Sequence, residues 1–311
     1  AIIDSSPVDV AIIGGGPAGA AAGCLLSGWG HSVTVLNRPG ASSSALGESL
    51  PPSTQKLLDR IGARSAVDRA EFIRSQGHTV WWGQSQERVE EFPVESTGYQ
   101  VFRGDLDRIL LNRAIEEGAQ VWEDAVVVQV EPGRITHHIS FTNDGSAFDL
   151  KARWVLDCSG RSGVVARRDF RRREEGRNTV AFVGVWRRPG GWGLPNPTHT
   201  LVESFKDGWA WSVPVDEERR YFTVMVDPRE TGIDRGKDLG STYRSEICKA
   251  RRLNALVEGE IMEGNPWACS ASMYSASRYS DDRILLVGDA ASFLDPISSF
   301  GVKKALASGW R

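Results

Sequence analysis

The chain has 311 residues, of which 41% are hydrophobic and 25% charged, with a net charge of −3. These values suit one large or two moderate globular domains. The mild negative charge argues against a nucleic-acid or anionic-membrane partner, and no run reaches the roughly 18 apolar residues that a membrane span needs. The first ten residues, AIIDSSPVDV, have neither a basic nor an apolar leader region, so no signal peptide is expected. Cys24, Cys158, Cys248 and Cys269 form no CxxC pair, which fits unpaired thiols in a reducing, cytoplasmic setting and no zinc site. The 11 Trp are many for this length and suit a core, an interface or an aromatic-lined pocket.

Val8, Val10, Ile12 and Ile13 form a β-branched apolar run that reads as a buried parallel strand. Gly14, Gly16 and Gly19 follow at GxGxxG spacing, and residues 18–26 read as a helix. Strand, glycine turn and helix are the context of a dinucleotide site. Gly14 makes the tight turn, Gly16 admits a pyrophosphate, and Gly19 lets helix and strand pack closely. The helix start offers free N–H groups and a positive dipole end to phosphate. Residues 31–36 are a second parallel strand. An acidic residue is expected at its end for the ribose hydroxyls. Asn37 stands there instead, followed by Arg38; Asn can still bond a hydroxyl, and Arg38 can stack on adenine or hold a phosphate.

Residues 41–52 read as a Gly, Ser and Pro loop, in which Glu48 taken alone is a solvated carboxylate, and an amphipathic helix follows over 53–61. Residues 79–84 and 90–94 read as strands outside the dinucleotide core. Apolar residues at 106, 109, 110 and 114 place a helix over 104–117. Short strands are expected at 119–122 and 125–130. Strands 134–141 and 147–152 flank the hairpin signal Asn143-Asp144-Gly145, and a further strand at 154–156 leads into Asp157. His137 and His138 flank that hairpin and are expected in solvent. From 167 to 272, strand-like runs at 179–186, 199–205, 209–213 and 221–226 alternate with turns, with one helix over 242–256. The basic run 167–177 reads as a solvated turn, or as a docking patch for an acidic partner. Residues 283–288 are a fourth parallel-type strand ending at Asp289, and a helix follows Gly301 and Val302.

Five stretches now line up in order: GGGPAG (14–19), GESLPPS (47–53), FRGDLD (102–107), DCSGRSG (157–163) and LLVGDAASFLDPISSFGV (285–302). They resemble those of FAD-dependent monooxygenases of the p-hydroxybenzoate hydroxylase fold. A sixth, GWAWSVP (208–214), resembles the Trp-x-Trp-x-Ile-Pro signature of their flavin-dependent halogenase branch. The resemblance implies a mixed α/β fold. A Rossmann-like FAD-binding domain with a parallel sheet would take 1–75, 100–166 and 275–311, and an inserted antiparallel-sheet substrate domain 76–99 and 167–274, with a helical C-terminal part missing from the chain.

The resemblance also implies roles. Gly14, Gly16, Pro17, Ala18 and Gly19 would hold the FAD pyrophosphate, and Arg103 would reach the phosphates or ribose. Asn37, Arg38, Glu48, Ser49 and Val127 would be further cofactor contacts. Asp289, after Gly288, would bind the ribityl hydroxyls, although taken alone it reads as a helix N-cap. Pro296 and the N–H groups of Gly301 and Val302 would lie at the pyrimidine edge of the flavin, where donors and a helix start favour negative charge on the reduced ring. Trp82, Trp209, Trp211 and Ser298 would line the substrate pocket, Trp209 and Trp211 screening it from the flavin.

Two departures shape the expected activity. Halogenases use a lysine in the segment matching 70–76, which has none here; Ile73 takes its place. They also use a glutamate after the Asp-Pro pair, where this chain has Ile297, Ser298 and Ser299. The expectation is therefore hydroxylation of an aromatic ring by O2 and FAD, through a flavin C4a-hydroperoxide, with His78 beside Trp81 and Trp82 as the candidate base. No second dinucleotide fingerprint appears, so NAD(P)H would bind transiently or a separate flavin reductase would supply electrons. The GESLPPS loop followed by TVWWG is also similar to flavoproteins of tryptophylquinone cofactor biogenesis, which implies a peptidyl or carrier-bound indole as substrate. The alternatives are a flavin-dependent halogenase with relocated groups, an FAD-dependent reductase of isoprenoid chains, and a flavin-binding partner protein without activity.

Overall fold

The computed structural model describes residues 6–38, 40, 46–83, 86–173, 178–231 and 238–311. Its first strand, Val8–Ile13, feeds two cores by alternation. Val10 and Ile12 join one, built with the helices Pro17–Gly28, Arg103–Glu116 and Gly301–Trp310. Ala11 and Ile13 join the other, built with Ile139, Phe141, Leu150 and Phe170. Its buried part, residues 10–13, is apolar at every position, the pattern of a parallel strand covered on both faces. Val33–Leu36 pairs parallel on one side and Ser146–Asp157 on the other. Gln120–Trp122 and Ile284–Leu286 extend the parallel set outward.

Ser146–Asp157 is one strand of 12 residues, not the two expected. Its first half makes a hairpin with His137–Asn143 and its second half pairs with the first strand. Asp144 (φ 47°) and Gly145 (φ 76°) turn the hairpin, as a two-residue turn between right-twisted strands requires. His137 is a correction: it is 0% exposed, whereas His138 stands in solvent near Asp149 at 3.5 Å. Loss of hydration, with Arg283 nearby, holds the His137 pKa below its usual value.

Among the described residues a seven-stranded sheet runs in the order Ile261–Ser270, Val180–Arg187, Arg219–Val226, Gly208–Pro214, Thr200–Phe205, Gly77–Trp81, Arg88–Glu91. Its pairs are antiparallel except Thr200–Phe205 with Gly77–Trp81. One face carries Phe182, Trp186, Leu201, Phe222 and Val224, covered by Leu239–Ile247 and Arg251–Val257. The single helix expected over 242–256 is thus two, broken at Ala250 (φ −84°, ψ 82°). The other face carries Trp209, Trp211 and Met225 against Ala271 and Phe293. The edge strand Arg88–Glu91 is exposed at all four positions.

Gly47–Leu50, expected in a loop, is a strand paired with Gly98–Phe102, which also holds Ile73–Ser75. A second three-stranded sheet joins Arg171–Arg173, Tyr274–Ala276 and Ser292–Phe293. Residues 41–45 of the expected loop, Gln84, and 174–177 of the basic run lie outside the described residues. No described helix is long and apolar enough to cross a membrane.

Candidate cofactor and active site

The glycines after the first strand are required for different reasons. Gly14 has φ +105°, and a Cβ on it would sit 2.6 Å from the Cys158 carbonyl oxygen. A Cβ on Gly19 would overlap the Gly14 carbonyl. Gly16 has an ordinary φ of −70°, and a Cβ there would meet nothing within 4 Å. The protein's own packing therefore does not demand glycine at 16. The open space lies over the start of the helix Pro17–Gly28, which has no side-chain cap and no acidic residue in its first turn. Bare N–H groups, a positive dipole end and room for backbone approach fit a diphosphate. Pro17, Ala18 and Gly19 form the buried first turn of that helix.

Asn37 ends the second strand at 3% exposure. Its Oδ1 accepts from Gly15 N–H at 3.1 Å and its Nδ2 donates to Glu123 Oε2 at 2.9 Å. Its carbonyl accepts from Ala125 N–H at 2.8 Å. Val127, two residues on from Ala125, is half-buried against the core that holds Leu36, and Arg38 is exposed. Glu123 was not among the residues singled out from the sequence.

Arg103 and Glu48 meet, as their neighbouring strands dictate. The Arg103 guanidinium donates to Glu48 Oε1 at 2.9 Å and to both oxygens of Asp107 at 2.9 Å. Burial works against the guanidinium's charge, but the two carboxylates outweigh it and raise its pKa. Ser49 lies beside Glu48, paired with Gln100.

The stretch 288–302 packs onto the glycine turn and the helix start at Ala18. A Cβ on Gly288 (φ +63°) would lie 3.0 Å from Ala18 Cβ, and Gly288 N–H donates to Ser308 Oγ at 3.0 Å. Asp289 sits inside the 3₁₀ turn Gly288–Ala290, whose cap is Val287, so it is not the helix N-cap that the sequence alone suggested. Asp289 Oδ1 faces Lys304 Nζ at 2.9 Å, and its carbonyl accepts from the Tyr274 hydroxyl at 2.6 Å. Burial pushes the Tyr274 pKa up to about 12, which keeps that donor protonated. Asp295 caps the turn Pro296–Ser298, Ser298 Oγ donates to Asp295 O at 2.9 Å, and the helix Gly301–Trp310 begins three residues after Ser298. Sequence spacing could not reveal Lys304, whose ammonium also donates to Ser292 O.

Trp209 and Trp211 stack at 4.7 Å on the sheet face that meets Phe293. Trp82 is 45% exposed. His78 lies on that same face by register, paired with Thr200, and meets Phe92 edge-on at 5.0 Å. Trp81 points to the opposite, helix-covered face, so His78 does not share a pocket with it. Burial lowers the His78 pKa against the opposing pull of Glu90. In the segment 70–76, Ser75 is 0% exposed, and Arg74 is spent on Asp68 and on the Tyr99 ring at 4.3 Å. Asp157, which opens the DCSGRSG stretch, is a further organiser whose role the sequence left unassigned: at 0% exposure it accepts from Val165 N–H at 2.8 Å and Ala166 N–H at 2.9 Å.

Residues 7–307 match the family described as FAD binding domain. Flavin-dependent halogenase armH3 of Armillaria mellea is 27% identical over 329 residues, which cover 97% of this chain and 65% of that protein. The chain thus spans a little under two thirds of this curated relative. The crystal structure of CmlS, a flavin-dependent halogenase, matches with a TM-score of 0.90 at 27% identity, over 98% of this chain and 57% of that one. Aklavinone-11 hydroxylase, solved with FAD and aklavinone, shares the fold with a TM-score of 0.81 at 19% identity, over 99% of this chain and 62% of that one. The open cradle at Gly16 and a family match that runs almost from end to end agree: the chain belongs to the FAD binding domain family.

Proposed function

We propose that the chain is the FAD-binding part of a flavin-dependent enzyme that places an electrophile on an electron-rich aromatic ring, a halogen in the first reading. Bound FAD supplies the oxygen chemistry, and the chain's residues hold it, orient the acceptor and exclude water. The observation that carries this reading is the stacked Trp209–Trp211 pair packed with Phe293, an apolar wall beside the stretch assigned to the flavin. The breadth of the likeness to flavin-dependent halogenases supports halogenation over hydroxylation. The lysine's part would then have moved, and Lys304 is a lysine already standing at Asp289.

A specific observation favours hydroxylation as the second reading: the segment 70–76 has no lysine, and its one cation beside Ile73 and Ser75, Arg74, is engaged by Asp68. Electrons would come from NAD(P)H or a separate flavin reductase. The acceptor would be a small aromatic, or a peptidyl or carrier-bound indole; the GESLPPS and TVWWG stretches support the latter.

The FAD-loaded chain is reduced without air, then mixed with oxygen and an indole or phenol, with and without bromide, and the products are weighed by mass spectrometry. A brominated ring formed only with bromide is the expected result. A hydroxylated ring, indifferent to bromide, establishes the second reading. An unchanged ring in both mixtures overturns both and leaves the reductase.

A further inference from the structure

Resting on the assignment of FAD to the Gly16 cradle, we infer that Glu123 supplies the ribose-binding carboxylate that this fold otherwise takes from the end of its second strand. Asn37 holds that strand end but is committed to the protein, with Oδ1 on Gly15 N–H at 3.1 Å and Nδ2 on Glu123 Oε2 at 2.9 Å. The register explains the exchange. Leu36 pairs with Trp122 in parallel, and Asn37 N–H donates to Trp122 O at 2.9 Å. Residues 37 and 123 therefore leave neighbouring strands side by side, at the carboxyl end of the sheet where ligands of open α/β folds bind. The acid has moved one strand over.

The division of labour is physically sensible. Position 37 is buried, so an amide there avoids burying a charge. Position 123 is exposed, so its carboxylate stays hydrated until a ligand arrives. Its backbone is fixed by Asn143 Nδ2, which donates to Glu123 O at 2.5 Å, and by the turn at Asp124 (φ 59°). Asn37 aims the carboxylate through Oε2 and leaves Oε1 to accept from a ribose hydroxyl. The same Asn37 side chain grips Gly15, so the ribose and phosphate ends of the site share one amide.

The test compares binding of FAD with binding of its analogue lacking both adenosine ribose hydroxyls, followed by flavin fluorescence, in the wild-type chain and in Glu123→Gln. Gln keeps the acceptor that Asn37 needs, and replaces the charge and the second acceptor offered to the ribose with an NH2 donor. The wild type is expected to bind FAD about tenfold to a hundredfold more tightly than the analogue, the scale of a hydrogen bond to a charged group. Glu123→Gln is expected to bind the two alike. A variant that keeps the wild-type preference, or a wild type that shows none, overturns the role of Glu123. A wild type that binds neither flavin overturns the cofactor assignment itself.

Discussion

At the scale of single residues, Gly16 and Gly19 make a controlled pair. Gly16→Val projects into open space, so the fold should hold while FAD binding weakens by more than about a hundredfold, since the phosphate loses charge-assisted hydrogen bonds worth about 1.5–3 kcal/mol each. Gly19→Ala collides with the Gly14 carbonyl and should cost about 1–3 kcal/mol of stability. Melting temperature and bound flavin, read on both variants, separate the cases; normal FAD content in folded Gly16→Val would refute the cradle. The glycine spacing made this turn legible without coordinates, because each glycine answers a local need. Glu123 was not legible, because its partner Asn37 lies 86 residues away and the pairing depends on strand order. His137 misled for a related reason: polarity suggested solvent, and the hairpin face it occupies turns inward.

At the scale of elements, the helices Pro17–Gly28 and Gly301–Trp310 touch through small residues. A Cβ on Gly309 would overlap the Ala18 carbonyl and lie 3.1 Å from Ala21 Cβ. Gly309→Val should therefore force the helices apart, costing about 1–3 kcal/mol in urea unfolding and weakening FAD binding with it, because Ala18 lies in the first turn of the helix proposed to meet the diphosphate. Unaltered stability would show that the helices part freely. Elements with plain periodicity, such as Arg103–Glu116, were readable within a residue or so. Gly47–Leu50 was hidden by its own Gly, Ser and flanking Pro, which signal a loop until Gly98–Phe102 supplies a partner. Ile261–Ser270 escaped because Gly264 (φ 67°) and Pro266 interrupt it, and the pairing shifts register opposite that point, between Val183 and Val185.

At the scale of the molecule, Gln100 ties two sheets together. From Gly98–Phe102 its Nε2 donates to Ser75 Oγ at 3.1 Å and reaches Thr198 O at 3.0 Å and Thr200 Oγ1 at 3.1 Å beside the seven-stranded sheet. Gln100→Leu leaves buried acceptors unpaired, which costs about 1–3 kcal/mol; urea unfolding should show the loss, and an unchanged midpoint would mean that the sheets are joined elsewhere. The antiparallel character of the larger sheet was plain in its alternating runs. That Gly77–Trp81 completes it, in parallel with Thr200–Phe205, could be read only from a register that joins residues 122 apart, such as His78 and Thr200. The outer strand of that sheet has a further effect, felt in crowded solution rather than in chemistry. Arg88–Glu91 presents Arg88, Glu90 and Glu91 to water, with Arg88 and Glu90 paired at 3.0 Å. A neighbouring molecule that tried to add its own strand there would have to strip water from these charges, so ribbon-like growth from this border is discouraged at high concentration.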